Sequence, residues 1–272
     1  MNPHFKAIIT TSGTGSRLGE ITQFLNKGLI RVGKKAAISY IIDQIPVQTP
    51  IVITLGYKRE QVKEYLSFAH PERIFEFVEI HPYEGENSSL GYSLLCASSL
   101  LQCPFVFIAC DTLTSIPLSF PTENWLGVAN FPDATQYTSV SIAPFNHIRS
   151  IHCKNAPVYD YVYVGLAGIH DYVSFWKYLR ALYAQNPSDQ SLNDTAAFSQ
   201  MIKDSIPFKY KTIEQWFDIG NEEGLRWARA KIPDYFDNLE KIDESIYLIN
   251  DQFVIKFFHE PTIVQKRILR AD

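Results

Sequence analysis

Two textures alternate along the first 110 residues: short unbroken apolar runs, and longer stretches with apolar residues at helical spacing. Residues 5–9, 51–55, 74–80 and 105–109 read as strands, and 37–45, 59–66 and 89–101 read as helices, the first of them stopped by Pro46. Strand and helix in strict alternation predict an α/β domain built on a mostly parallel sheet. The run 105–109 contains no polar residue, as expected of a strand covered on both faces. In such sheets ligands sit beyond the carboxyl ends of the strands, where the strand order reverses.

From residue 125 onward the pattern becomes richer in Tyr and Val, and 125–130, 137–143, 148–153 and 161–169 are strand-like. Helices follow at 172–183 and 194–203, the second capped by Asn193 or Asp194, and Asn221 caps a helical run at 222–231. The end of the chain differs. Residues 245–249 and 253–258, joined by a turn at Asn250 and Asp251, predict a β-hairpin, and 260–270 begins a helix. This divides the chain into a main domain over 1–232 and an extension over 233–272.

The sharpest interruption of the apolar pattern is residues 10–18, where Gly13 and Gly15 lie among Thr11, Ser12, Thr14 and Ser16 and are followed by Arg17 and, further on, Lys27. A strand running into a glycine-rich loop offers several backbone N–H groups to one small volume, which suits an anion such as phosphate. Arg17 and Lys27 add positive charge beside it. The dinucleotide fingerprint does not fit, because Leu18 stands where its third glycine belongs. Residues 28–35 spell a P-loop except at the last position, where Lys35 cannot hold Mg²⁺ as Ser or Thr would; a solvated turn is predicted there.

With 272 residues, 46% of them hydrophobic, the chain can bury a sizeable core. A formal charge of −4 gives no general attraction to nucleic acid, so any phosphate recognition is local. No apolar run approaches the ~18–20 residues that span a bilayer, and the N-terminal residues lack a secretory layout, so a cytoplasmic protein is expected. Cys96, Cys103, Cys110 and Cys153 show no Cys-x-x-Cys pairing and read as reduced thiols. Asp111 follows the fully apolar strand at once, so its carboxylate should emerge at the ligand-binding edge.

The residues Gly13 to Leu18, then Thr22, Lys27, and Gly33-Lys34 leading into residues 38–42, resemble the opening of the nucleotidyltransferase superfamily that makes nucleotide sugars, with the spacing of Thr22, Gln23 and Lys27 most like its phosphocholine cytidylyltransferase branch. Asn26 replaces the family's usual Pro, and Thr11 and Ser12 replace its small Ala residues. The resemblance implies a Rossmann-like, mostly parallel mixed sheet flanked by helices. It also implies transfer of a nucleotidyl group from a nucleoside triphosphate, CTP or UTP by preference, to a sugar 1-phosphate or a phosphocholine-like acceptor, of the kind that feeds cell-surface polysaccharide synthesis.

Residue by residue, the resemblance assigns Thr11, Ser12, Gly13, Thr14, Gly15 and Ser16 to the nucleotide and Arg17 and Lys27 to catalysis. Asp111 and Asp218, the latter in a late Asp-x-Gly segment, would bind Mg²⁺. Ser88, Ser89 and Gly91 would lie against the base, with a plain helix cap at Ser88 or Ser89 as the alternative. Lys154 would hold the acceptor's phosphate, or be a solvent-facing lysine. A second class of reading is a nucleotide-sensing module without turnover, and a third is a scaffold that uses the C-terminal hairpin. That hairpin, with Lys256 after Val254 and Ile255, is also similar to the first strands of small-molecule kinases. It therefore predicts either a docking element, including on a second copy of the chain, or the start of a covalently linked kinase domain.

Overall fold

The computed structural model describes residues 5–232, 244–249 and 253–258. The chain enters through β1 (Lys6–Thr10), a short helix α1 (Ile21–Phe24), a small ribbon of β2 (Arg31–Val32) and β3 (Lys35–Ala36), and α2 (Ala37–Ile42). It continues through β4 (Ile51–Leu55), α3 (Arg59–Ala69), β5 (Phe75–Glu79), α4 (Leu90–Ala97), β6 (Phe105–Ala109) and β7 (Thr112–Thr114). The second half holds β8 (Trp125–Ala129), β9 (Ser139–Ala143), β10 (His147–His152), β11 (Tyr161–Ile169), α5 (Tyr172–Gln185) and α6 (Asp194–Lys203). Last come β12 (Lys209–Thr212), β13 (Trp216–Asp218), α7 (Glu222–Lys231), β14 (Glu244–Ile249) and β15 (Phe253–Phe258).

Nine strands form one mixed sheet in the order β5-β4-β1-β6-β11-β8-β12-β10-β9. The first four run parallel, as the alternating pattern predicts. Beyond β6 the sheet is antiparallel except where β12 lies parallel to β8, so it is less parallel than expected. β12 is a central strand that the sequence pattern does not announce, because its Lys-Tyr-Lys-Thr run carries no apolar alternation; its place is set by its neighbours. Two further ribbons, β7 with β13 and β14 with β15, stand apart from the main sheet.

Layering follows from side-chain alternation along the parallel strands. On β1, Ala7 and Ile9 join the core formed with Ile38, Ile41 and Ile42 of α2 and Val62 and Leu66 of α3, whereas Ile8 joins the core formed with Leu94 of α4, Phe175 and Trp176 of α5 and Phe198 of α6. Both faces are thus covered, and β6, apolar throughout, is buried over nearly all its length. Each such buried aliphatic side chain contributes roughly 1.5–3 kcal/mol by removal from water, which is why these runs go to the centre.

The functional consequence lies in one register. β1 is flanked by β4 on one side and β6 on the other, with Thr10 opposite Ala109, so the strand order reverses between β1 and β6. The segments that leave these two strands, the glycine-rich loop and Cys110-Asp111, therefore emerge side by side.

Residues 28–35 are not the solvated turn that their sequence suggests. Gly33 takes φ 57 at the turn between β2 and β3, yet it and Arg31 and Val32 are buried, because β14 lies over the ribbon and the Leu248 amide donates to the Lys34 carbonyl at 2.7 Å. The hairpin at 245–249 and 253–258 is present as predicted, whereas the turn at Asn250 and Asp251 and the helix at 260–270 fall outside the described residues. Of the four cysteines, Cys110 is buried and Cys153 is exposed, and no disulfide joins them. No helix among the described residues is long and apolar enough to cross a membrane.

Candidate active site

The glycine-rich loop is held from below. The Thr11 amide and hydroxyl both donate to the Thr54 carbonyl, at 3.2 and 2.6 Å, and the Ser12 hydroxyl lies 3.1 Å from that of Ser93. Both side chains are buried, so the structure uses their hydroxyls to tie the loop to β4 and α4. Gly13, Thr14, Gly15 and Ser16 form the accessible rim. Gly13 has open space where a side chain would stand. Gly15 has none: it is left-handed at φ 71, and a Cβ there would lie 2.9 Å from Thr22 Cγ2 and 3.2 Å from Lys27 Cβ. Glycine is required at that point both for its φ and for the close approach of Lys27.

Asn26 supplies the anchor for Lys27. It is completely buried; its side-chain amide donates to the Thr11 carbonyl at 3.0 Å and the Tyr57 carbonyl at 2.7 Å, while its Oδ1 accepts from the Gly28 amide at 2.9 Å. Its own backbone amide donates to Gln61 of α3 at 3.0 Å. One side chain thereby joins the base of the loop, the end of β4 and the turn carrying Lys27. Proline has no amide group to do this, so the departure from the family pattern is a structural gain at this position.

Lys27 and Asp111 meet beside the glycine-rich loop, with Lys27 Nζ 2.7 Å from Asp111 Oδ2 and an Arg17 guanidinium nitrogen 3.8 Å from the same oxygen. Burial opposes charge on both partners. For Asp111 the opposing pull of Lys27, by charge and hydrogen bond, with that of Arg17, prevails and holds the carboxyl below its usual range. For Lys27 burial likewise acts to lower the pKa, but the Asp111 charge overcomes it and raises the ammonium above its ordinary value. Both groups are therefore ionised at neutral pH.

Asp218 reaches the same place from β13. Antiparallel pairing puts it opposite Thr112, and the Ile219 amide donates to the Asp111 carbonyl at 3.0 Å. A Cβ built on Gly220 would overlap Asp111 Oδ2, lie 2.9 Å from Asp218 Oδ1 and 3.0 Å from an Arg17 guanidinium nitrogen. Two carboxylates and a guanidinium thus border one point, and glycine leaves it open. Asp218 is oriented by three donors: the Gly220 amide to Oδ1 at 2.8 Å, and Asn221 Nδ2 at 2.9 Å and the Tyr137 hydroxyl at 3.0 Å to Oδ2. Asn221 also caps α7, accepting from the Gly224 amide at 2.9 Å.

Among the described residues no three His, Cys, Asp or Glu side chains gather as a metal cage. A carboxylate pair without a cage is the donor set that Mg²⁺ uses when phosphate oxygens and waters complete its shell, so these residues fit that ion.

Ser89 caps α4, accepting from the Tyr92 amide at 3.0 Å, and the Ser88 hydroxyl donates to the Gly85 carbonyl at 2.8 Å. Gly91 is buried against Leu192, which would meet a Cβ there at 2.6 Å. This loop adjoins the glycine-rich loop through the Ser12–Ser93 contact, with Ser93 also donating to the Ser89 carbonyl at 3.1 Å. Lys154 is exposed in a turn after β10, and the neighbouring Asn155 amide donates to the Ala134 carbonyl at 3.1 Å, which also receives the Tyr137 amide. That connects the lysine's turn to the loop that carries the Asp218 partner Tyr137. Tyr137 is the residue of the site that nothing in the sequence announces; Asn26 stood out only as a departure from the resemblance and Gly220 only as the glycine of the Asp-x-Gly segment, neither with a role of its own.

No protein-family model matches the chain, and no curated protein matches it in sequence. Solved structures do. A Bacillus anthracis structure described as a glucose-1-phosphate thymidylyltransferase superposes with a TM-score of 0.72 at 22% identity, covering 88% of this chain and 98% of that one. The CTP:phosphocholine cytidylyltransferase of Streptococcus pneumoniae gives a TM-score of 0.70 at 17% identity over 85% of this chain and all of that one (100%). The inositol-1-phosphate CTP transferase from T. maritima gives 0.66 at 17% identity, covering 85% and 97%. The chain shares the fold of these three structures.

Proposed function

We propose that the protein transfers a nucleotidyl group from CTP or UTP to a phosphorylated small molecule, a sugar 1-phosphate or a phosphocholine-like acceptor, and releases pyrophosphate. The observation that carries this reading is the convergence of Lys27, Arg17, Asp111 and Asp218 around the opening left by Gly220, beside the glycine-rich loop.

The amides of residues 13–16 and the Arg17 guanidinium would cradle the triphosphate. An oxygen of the acceptor's phosphate forms a bond to the α-phosphorus, and the bond from that phosphorus to the β-phosphate oxygen breaks, pyrophosphate leaving with the electron pair. The attacking oxygen is already ionised near neutral pH, so the chain need supply no general base. Its task is alignment and charge neutralisation. Lys27, held cationic by Asp111, would stabilise charge at the α-phosphate. Asp111 and Asp218 would hold Mg²⁺, which when bound neutralises phosphate charge. Ser88 and Ser89 would border the base, and Lys154 the acceptor's phosphate, whereas Gly91 is buried with its amide on the Leu192 carbonyl at 2.8 Å and packs the start of α4.

The test is pyrophosphate release with Mg²⁺, each of CTP, UTP, dTTP, ATP and GTP, and glucose 1-phosphate or phosphocholine as acceptor. Release that needs both substrates, and is greatest with CTP or UTP, is the expected result. Silence across an extended panel of phosphorylated alcohols and sugars would overturn the assignment.

A further inference from the structure

The C-terminal hairpin reaches the back of the turn that bears Lys27. Residues 27–29 form a single 3-10 turn, closed by the Ile30 amide donating to the Lys27 carbonyl at 3.2 Å. Behind it, the Tyr247 hydroxyl on β14 donates to the Leu29 carbonyl at 2.6 Å. Tyr247 is fully buried, with its ring 5.1 Å from that of Tyr65 on α3 and 6.0 Å from that of Phe257 on β15. One residue on, the Leu248 amide donates to the Lys34 carbonyl. The segment 26–34 is therefore clamped between Asn26, whose bonds run to Thr11 and to Tyr57 beyond β4, and β14, whose bonds run to Leu29 and Lys34.

We infer that Tyr247 is a positioning residue for Lys27, and that the hairpin of β14 and β15 is a working part of the transferase unit rather than an appendage to it. A short 3-10 turn has few bonds of its own and poorer hydrogen-bond geometry than an α-helix, so its placement depends on what it packs against. Lys27 must keep its ammonium at Asp111, and a small displacement of the turn carries that charge away from where it acts. The hydroxyl of Tyr247 fixes the turn at Leu29, two residues beyond the lysine. The structural half of this inference stands on the geometry alone; the catalytic half rests on the proposed role of Lys27.

The test uses the full chain. Tyr247→Phe keeps the ring and its aromatic neighbours and removes only the donor to Leu29. Hydrogen exchange of the amides of residues 27–32 should quicken about tenfold, with the central strands unchanged, as expected for loss of one buried hydrogen bond. In pyrophosphate-release assays kcat should fall about 5–10-fold with the KM for triphosphate within about twofold, and the same substitution in a Lys27→Ala background should have no further effect on kcat. Unchanged exchange at 27–32, or an equal kcat loss in both backgrounds, would overturn the inference. If the unaltered protein transfers no nucleotide, the proposed function fails, and the exchange comparison still decides whether Tyr247 holds the Lys27 turn.

Discussion

Lys27 Nζ stands 2.7 Å from Asp111 Oδ2, joining a turn after the glycine-rich loop to the segment that leaves the buried strand β6. The pair is largely shielded from water, with side-chain exposures of 19% and 13%, so neither charge is easily compensated by solvent if the other is removed. Lys27→Ala and Asp111→Asn should each lower kcat by ~10²–10³-fold, the usual effect of losing one preorganised charge-stabilising group, with an unchanged far-UV circular dichroism spectrum. A variant that keeps the full rate removes its residue from the mechanism.

The same pair governs part of the acid stability. Asp111 is held below the usual carboxylate range, so the native state binds fewer protons than the unfolded chain in that interval. Its contribution is complete above the ordinary carboxylate pKa and is lost as pH falls through the lowered value. Lys27→Ala removes the main cause, so its acid-unfolding midpoint should move to higher pH. Urea titrations at several acidic pH values would measure the shift.

A second buried carboxylate behaves in the opposite sense. Asp194, at the start of α6, accepts from the Tyr163 hydroxyl at 2.7 Å but has no cationic partner among the described residues, and burial raises its pKa to about 6. Here the native state binds more protons between the ordinary carboxylate value and about 6, so stability falls as pH rises through that window. Asp194→Asn keeps an acceptor for Tyr163 without the charge. It should stabilise the protein by on the order of 2–3 kcal/mol at pH 8, keep about half of that advantage at pH 5 and lose the rest only below the ordinary carboxylate range, as thermal melts at pH 8, pH 5 and a pH below that range would reveal.

Asn221 serves two neighbours with two atoms, and substitution can separate them. Asn221→Asp retains an oxygen to cap α7 but loses the amide donor to Asp218 and sets a like charge beside it. Its Tm should stay within a few degrees of the parent while kcat falls at least about tenfold. Asn221→Ala should lose both, with about 1 kcal/mol less stability from the missing cap. Equal activity in the two variants and the parent would mean that Asp218 needs no orientation from this residue.

Gly220 is the opening around which the charges gather. Gly220→Ala places a methyl hard against Asp111 Oδ2 and within 2.9 Å of Asp218 Oδ1, so at least one of the carboxylates must shift. Turnover should fall by about two orders of magnitude, and the Mg²⁺ concentration for half-maximal rate should rise. A rate and metal dependence equal to the parent's would show that the two acids act apart.

The chain's own letters carried a good deal of this. Apolar runs such as 105–109 have one stable destination, the middle of a two-sided sheet, and alternation with helical spacing makes that sheet begin parallel. From there the ends of β1 and β6 are the expected ligand edge by topology, so the glycine-rich loop, Lys27 and Asp111 were legible as one locality from the sequence. Local chemistry also announced the caps at Asn193 and Asn221, because a short polar side chain before a helical run satisfies free amides within three residues.

Only the tertiary structure decided the rest, and the reason is sequence distance. β12 became a central strand because β8 and β10 left it a place, not because its polar run favours one. Gly220 bordering Asp111, Tyr137 reaching Asp218 and Tyr247 gripping Leu29 join residues separated by roughly 80 to 220 positions, where no local propensity or spacing rule applies and only the packed sheet fixes who meets whom.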